Sequence, residues 1–209
     1  RPSRLDPTSS VLFLGAGFSA DATHVRGTNL PVGRGLEDEL KREAGLPPED
    51  PAELQDLPAY AIEAGVDIHN LLSNLYAVRN LSEDQKTVLS QRWMRIYTTN
   101  YDDVPNVFYS GETRSRRPDI HSIEDTPPKH LRAGAVVHLH GYIHRCTREN
   151  VLDQLILTHH SYAEQRAIES PWWDFFEKDL RICENMFFLG YELRDLEPAK
   201  CLTKNPAAA

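Results

Sequence analysis

The sequence is short of several things, and each shortage excludes something. It has three cysteines, Cys146, Cys183 and Cys201, with no C-x-x-C pair among them. An odd, scattered set supports neither a disulfide framework nor a zinc ribbon, and it fits a reducing compartment. No apolar run approaches the roughly 20 residues that cross a bilayer, so no membrane span is expected. The opening RPSRLDPTSS has no apolar centre of the kind a signal peptide carries, and a cytoplasmic location is the expectation. Positive charge is in deficit, with 23 Lys and Arg against 31 Asp and Glu and a net charge of −8. That balance argues against broad contact with nucleic acid, which needs a basic face, and none is expected here. One local exception, the basic cluster Arg114–Arg117, reads as a solvated loop. Internal repeats and low-complexity tracts are missing too.

What is present is the patterning of one α/β domain. At 209 residues the chain is long enough for a sizeable core. Val11–Leu14 is an apolar run that stops at Gly15, the mark of a strand buried on both faces entering a glycine turn. LEDELKREAG predicts a helix closed by Gly45, with Pro47 and Pro48 barring continuation. From Ala52 to Arg92 the pattern is helical, and Ser82 is the expected N-cap of its last helix, with Gln85 giving a glutamine form of the capping box. MRIYTTN, RPDIHSIED, AVVHLHG, LILTHH and MFFLG read as extended segments. YDDVPNVFY reads as a short helix interrupted early by Pro105, and WWDFFEKDLRI as a long one. Alternating strands and helices predict a Rossmann-like α/β fold: a mostly parallel sheet flanked by helices, without a zinc module. A helical insertion over about residues 46–92 would follow the first βα unit of a single domain spanning 1–209. Only LEPAKCLTKNPAAA follows LGYELRD, so the chain is expected to be part of a longer protein or assembly.

Several of these strands end in small or polar residues: Gly15, Asn100, Gly141 and Gly190. Open parallel sheets bind ligands outside the carboxyl ends of their strands, so these distant positions are candidates for one pocket. Gly15-Ala16-Gly17-Phe18-Ser19-Ala20 has the G-x-G-x-x-A form after a strand, which lets backbone amides approach a pyrophosphate, with Ser19 adding a hydroxyl. Taken alone, it is equally a common glycine turn. Asn100 and Asp102 in TTNYDD offer an amide and a carboxylate to a ligand; the competing reading is an Asx turn that caps the next helix.

The run AVVHLHGYI sets a sharper question. In an extended chain His138 and His140 project to one side. With His144 and Cys146 they form H-x-H-x3-H-x-C, which resembles a metal set. Gly141 would break the strand and send the later two elsewhere, and no carboxylate completes the set, so no metal is expected. His138, inside the strand, reads as a buried structural histidine, and His140 stands at its exit.

In order along the chain, FLGAGFSA, TTNYDD, HLHG and FFLGYELRD resemble the sirtuin-like NAD-binding family, in its bacterial branch of NAD-consuming antiphage-defence enzymes. The resemblance runs from Val11 to Asp195. It implies that Gly15, Ala16, Gly17, Phe18 and Ser19 form a phosphate-binding turn, that Asn100 orders the nicotinamide ribose or a water, and that Asp102 is the acid that accompanies it. It implies that His140, before Gly141, is the catalytic histidine, with His138 as its support. Gly190, Tyr191 and Asp195 match the loop that holds the adenosine half, and Pro31 is kept from the segment lining the nicotinamide pocket.

The departures bear on activity. The family's deacylases carry a C-x-x-C zinc module and a G-I-P-D-F-R segment; here the latter region reads GTNLPVGRGL, with Arg34 the available substitute for the lost arginine. NAD+ binding and cleavage of the nicotinamide–ribosyl bond remain the expectation, with NAD+ as substrate and water as acceptor. A general base near neutral pH suits the imidazole of His140. The implied setting is an NAD-depleting effector in a homo- or hetero-oligomer, held by a sensor domain or partner protein. The alternatives are a non-catalytic NAD or ADP-ribose sensor, and a deacylase or ADP-ribosyltransferase.

Overall fold

The computed structural model describes residues 6–111, 118–163 and 170–192. In chain order the first half forms β1 (Ser10–Leu14), the single turn α1 (Ala16–Ser19), β2 (Thr23–His24), α2 (Gly33–Glu43), α3 (Leu57–Glu63), α4 (Ile68–Leu75), β3 (Val78–Asn80) and α5 (Glu83–Leu89). The second half forms β4 (Arg95–Thr98), α6 (Val104–Gly111), β5 (Ile120–Ser122), β6 (Ala135–His138), α7 (Val151–Gln154), α8 (His159–Ala163), α9 (Pro171–Ile182) and β7 (Asn185–Leu189).

Five of the strands make one parallel sheet in the order β5-β6-β4-β1-β7. The apolar runs of β1 and β6 are continuous because both faces are covered. Val11, Phe13, Tyr97, Ala135 and Val137 point to one face and pack on Trp172, Phe176 and Leu180 of α9. Leu12, Leu14, Ile96 and Val136 point to the other and pack on Leu89 of α5 and on Val104 and Phe108 of α6. This is the Rossmann-like α/β arrangement that the sequence predicts. A third core joins Leu36 and Leu40 of α2, Leu57 and Ala61 of α3, and Ile68 and Leu72 of α4 to Ile143, Leu155 and Leu157.

Local chemistry explains the element ends. Gly45, at φ 72°, takes the left-handed turn after α2. Ser82 caps α5 in a complete capping box, its hydroxyl accepting from the Gln85 amide while Gln85 accepts from Ser82 N. Pro105 does not interrupt α6: it stands in the first turn, where a missing N–H costs no helical bond. Two further readings are corrected. LILTHH forms no strand. The Ile156 amide donates to the His140 carbonyl at 3.0 Å, those of Leu157 and Thr158 donate to Ser161 Oγ at 2.9 Å, and His159 opens α8. Its alternating apolar residues divide between two cores without joining a ladder. The stretch from Ala52 to Arg92 is not helical throughout, since Val78–Asn80 pairs antiparallel with Thr23–His24. Arg114–Arg117 and Cys201 lie outside the described residues. Among the described residues, no helix is long and apolar enough to cross a membrane.

Candidate functional site

A single register row crosses the sheet: Leu189 pairs with Leu14, Leu14 with Thr98, and Thr98 with His138. The residues that follow each strand therefore leave from the same edge. There they enclose a cavity of about 890 Å³, lined by Ala16, Gly17 and Ser19 after β1, Asn100 and Asp102 after β4, His140 after β6, and Gly190, Tyr191 and Glu192 after β7. The cavity lies outside the carboxyl ends of these parallel strands, where open α/β sheets bind their ligands.

The glycines have a reason that the motif alone does not reveal. The Gly17 amide donates to the Gly190 carbonyl at 2.8 Å, and the Gly15 amide donates to Leu189 O at 3.0 Å. A Cβ on Gly15 would stand 2.5 Å from Gly190 O, and one on Gly17 would stand 2.9 Å from Gly190 Cα. Gly190 itself sits at φ +64°, where a Cβ would be 1.9 Å from Phe18 N. The G-x-G turn is thus glycine because two backbones touch, and the Gly17 amide is already engaged by the protein. The Phe18 carbonyl is held in turn by Gln85 Nε2 at 2.6 Å, a role for that buried glutamine that goes beyond its capping box.

Asn100 is fixed from several directions. Its backbone amide donates to Thr98 Oγ1 at 3.0 Å, and Thr98 Oγ1 donates to Leu14 O, also at 3.0 Å. Its side-chain Nδ2 donates to Gly15 O and to Ser19 Oγ, both at 2.9 Å. With two acceptors for its two N–H groups, the amide has only its carbonyl oxygen left to offer a ligand. Ser19 also hydrogen-bonds the Asp102 carboxylate. The order Asp102–Ser19–Asn100 therefore links an acid to an oriented amide through one buried hydroxyl. Asp102 is 2 % exposed, and burial pushes its carboxyl up to about 6 against the hydrogen bonds from Ser19 and from Val104 N. Its bond to Val104 N, at 3.0 Å, is the Asx turn of the competing reading, so the residue caps and lines the cavity at once.

His138 and His140 have different surroundings. The strand ends at His138, and the Gly141 amide turns back to His138 O at 3.3 Å, so the two imidazoles do not share one face of a strand. His140 lines the cavity and is 3 % exposed. His138 is fully buried, stacks on Tyr142 at 4.6 Å between ring centroids, and donates from Nδ1 to Asn100 O at 3.0 Å. Burial lowers its imidazole to about 4, which keeps it neutral. The remaining members of the H-x-H-x3-H-x-C pattern have separate partners: His144 Nε2 lies 3.3 Å from the Asp103 carboxylate, and Cys146 Sγ donates to Tyr142 O at 3.4 Å. Among the described residues, no group of three or more His, Cys, Asp and Glu side chains could hold a metal ion.

Pro31, Val32, Arg34 and Glu37 close the cavity from the start of α2, and Leu54 and Tyr76 close it from the helical core. Sequence reasoning had no signal for Leu54 or Tyr76. Burial raises the Tyr76 phenol, with the nearby Asp102 adding to the effect. Of the other predicted positions, Gly15 and Phe18 support the turn from behind. Gly141, at φ +91°, packs where a Cβ would meet Gln154 O at 2.3 Å. Asp195 lies outside the described residues. A separate cavity of about 670 Å³ shares Pro31 and is lined by polar groups such as His24, Arg26, Arg42 and Asn70 together with Val66, Leu71 and Leu75.

The family model of the SIR2-like domain matches residues 94–204, just over half of the chain. This chain belongs to the SIR2-like family. Membership ties it to NAD+, the ligand of SIR2-like domains. The matched stretch holds Asn100, Asp102, His140, Gly190 and Tyr191. The glycine turn of β1 precedes the matched stretch and is joined to it by the Gly17–Gly190 and Asn100–Gly15 hydrogen bonds. No curated protein matches this SIR2-like chain.

Proposed function

We propose that this SIR2-like chain is an NAD+ hydrolase that takes up one water and releases nicotinamide, ADP-ribose and a proton. The observation that supports it most is the orientation of Asn100. Both of its amide protons are committed to Gly15 O and Ser19 Oγ, so it meets a ligand as an acceptor only. An acceptor suits a ribose hydroxyl or an attacking water, and a phosphate oxygen would be the wrong partner.

NAD+, when bound, supplies an anomeric carbon joined to a pyridinium ring that departs as neutral nicotinamide. His140, on the same cavity wall, accepts the proton that the water gives up, directly or through a ribose hydroxyl. Asn100 holds the hydroxyl or the water in place, a positioning effect that can account for much of a rate. Asp102, when ionised, favours the positive charge that develops on the ribose, and Ser19 ties it to Asn100. Ala16, Gly17, Gly190 and Tyr191 bound the rest of the dinucleotide. The wider role in this reading is an NAD-depleting effector of bacterial antiphage defence, oligomeric and triggered by a sensor domain or partner; its support is the sequence resemblance.

The test is nicotinamide release from NAD+ by the full-length protein with its native partner. Release that is lost in His140→Ala and in Asn100→Ala, both folded, is the expected result. Binding of NAD+ without turnover, unchanged by His140→Ala, would sink the hydrolase and leave a nucleotide-binding module. Release that requires an acetyl-lysine peptide or a protein acceptor would assign a transferase instead.

A further inference from the structure

Tyr76 carries a hydroxyl that the chain around it does not use. The residue stands just past α4, where its amide donates to Leu72 O at 3.0 Å. Its ring packs into the helical core and meets Tyr101 edge-on, with 6.4 Å between centroids. Both tyrosines line the cavity, but their phenols are placed differently. Tyr101 donates to Ile156 O at 2.5 Å. The Tyr76 hydroxyl has no hydrogen-bond partner among the described residues, yet it is not sealed from solvent as His138 Nε2 is. Tyr76 is only 7 % exposed, so that opening is onto the cavity it lines. A phenylalanine would fill the same place in the core without burying a polar group that lacks a partner. The hydroxyl therefore points to an acceptor on a ligand.

The surroundings narrow down that acceptor. Leu36 and Leu54 share the helical core with Tyr76 and line the cavity with it, so this stretch of wall is apolar. Asp102 is close enough for its carboxylate to add to burial in raising the phenol, which keeps its proton and donates. Asp102 and Asn100 follow β4, so Tyr76 faces the reacting end of the cavity. A ribose there is served by the Asn100 carbonyl oxygen. An apolar wall that carries a phenol suits a flat ring with a carbonyl substituent. On NAD+ that ring is nicotinamide. Its carboxamide oxygen needs a donor, which neither the Asn100 oxygen nor a carboxylate can be.

We propose that Tyr76 is a substrate-binding residue whose hydroxyl donates a hydrogen bond to the carboxamide oxygen of the nicotinamide ring. The inference rests on the NAD+ reading of the site. It divides recognition between two parts of the fold. The strand ends hold the ribose and the water, and the helical segment before β3 reads the leaving group. A dinucleotide that keeps the carbonyl keeps this bond, and ADP-ribose, which has no ring, cannot make it.

The experiment measures equilibrium binding to the full-length protein carrying His140→Ala, which removes turnover, with and without Tyr76→Phe. The probes are NAD+, its 3-acetylpyridine analogue, which keeps the carbonyl oxygen and lacks the amide N–H, and ADP-ribose. Tyr76→Phe should weaken NAD+ and the analogue by about three- to tenfold each, the worth of one neutral hydrogen bond, and leave ADP-ribose within about twofold. NAD+ binding that withstands Tyr76→Phe would overturn the assignment while the NAD+ reading stands. So would an equal loss for ADP-ribose, which would make the residue a structural part of the wall, or an analogue bound as tightly as before. Failure of both NAD+ and ADP-ribose to bind the parent would overturn the NAD+ reading, and this inference with it.

Discussion

Gly190 rests directly on Gly17: the carbonyl of one accepts the amide of the other at 2.8 Å, and neither has room for a side chain. The contact predicts a contrast with Gly27, which also has positive φ, at +87°, but has nothing within 4 Å of a built Cβ. Gly27→Ala should cost about 1 kcal/mol, from backbone strain alone. Gly190→Ala should cost on the order of 4 kcal/mol, because strain and overlap add. Urea unfolding midpoints measure both, and similar losses for the two variants would refute the close packing.

Ser19→Ala tests the link between Asp102 and Asn100. The change leaves one buried Asn100 N–H without its acceptor and takes a donor from Asp102. A loss of about 1–3 kcal/mol in stability is expected, together with weaker nucleotide binding. A variant that binds NAD+ as the parent does would show that Asn100 is held without the hydroxyl.

The two buried titrating groups around Asn100 make stability respond to pH in opposite senses. Burial raises Asp102 from 3.8 to about 6, so the folded state keeps its proton longer, and stability from this group falls as pH rises from 3.8 to about 6. Burial lowers His138 from 6.5 to about 4, so the unfolded chain takes a proton first, and stability from this group falls as pH drops from 6.5 to about 4. Each effect is about 3 kcal/mol at most, and in the parent they oppose each other over the shared window. Melting temperatures from pH 4 to pH 7 should therefore separate the variants. Relative to the parent, Asp102→Asn should lose stability more steeply on acidification, and His138→Asn should gain. Parallel profiles would contradict the assignments.

Gln85→Leu removes both amide functions at once. Phe18 O loses its 2.6 Å donor, and Ser82 N loses its acceptor. The expected cost is about 2–3 kcal/mol in thermal or urea unfolding, from two polar groups left without partners. Gln85→Glu keeps the acceptor and sets a carboxylate against Phe18 O, so it should also destabilise. If Gln85→Glu matched the parent, the bond to Phe18 would carry no weight.

The sheet was legible because β1, β4, β6 and β7 are apolar on both faces, and each run ends at a glycine or a polar residue. LILTHH misled because a short continuous apolar run reports burial on two sides, and here two separate cores supply that burial without a neighbouring strand. The β2–β3 pair escaped notice because Thr23–His24 is two residues long, too short for any period to show. At the site, the strand-end rule selected Asn100, Asp102 and His140, and all three line one cavity. What the rule could not supply was the reason for each residue. The glycines of the β1 turn answer to Gly190, a partner 173 positions beyond Gly17 that no local pattern announces. Leu54 and Tyr76 reach the cavity through helix packing, and their own segments look like ordinary core.

β1 and β7 are neighbours in space but lie far apart along the chain; the Ser9 hydroxyl meets the Glu184 carboxylate 175 residues later. During synthesis the first strand and its turn therefore leave the ribosome long before the strand that backs them. Asn100 and His140 also emerge before that wall exists. The ligand site closes only when the last described strand docks. Whatever the finished cavity does, a chain from which β7 has yet to emerge cannot do it.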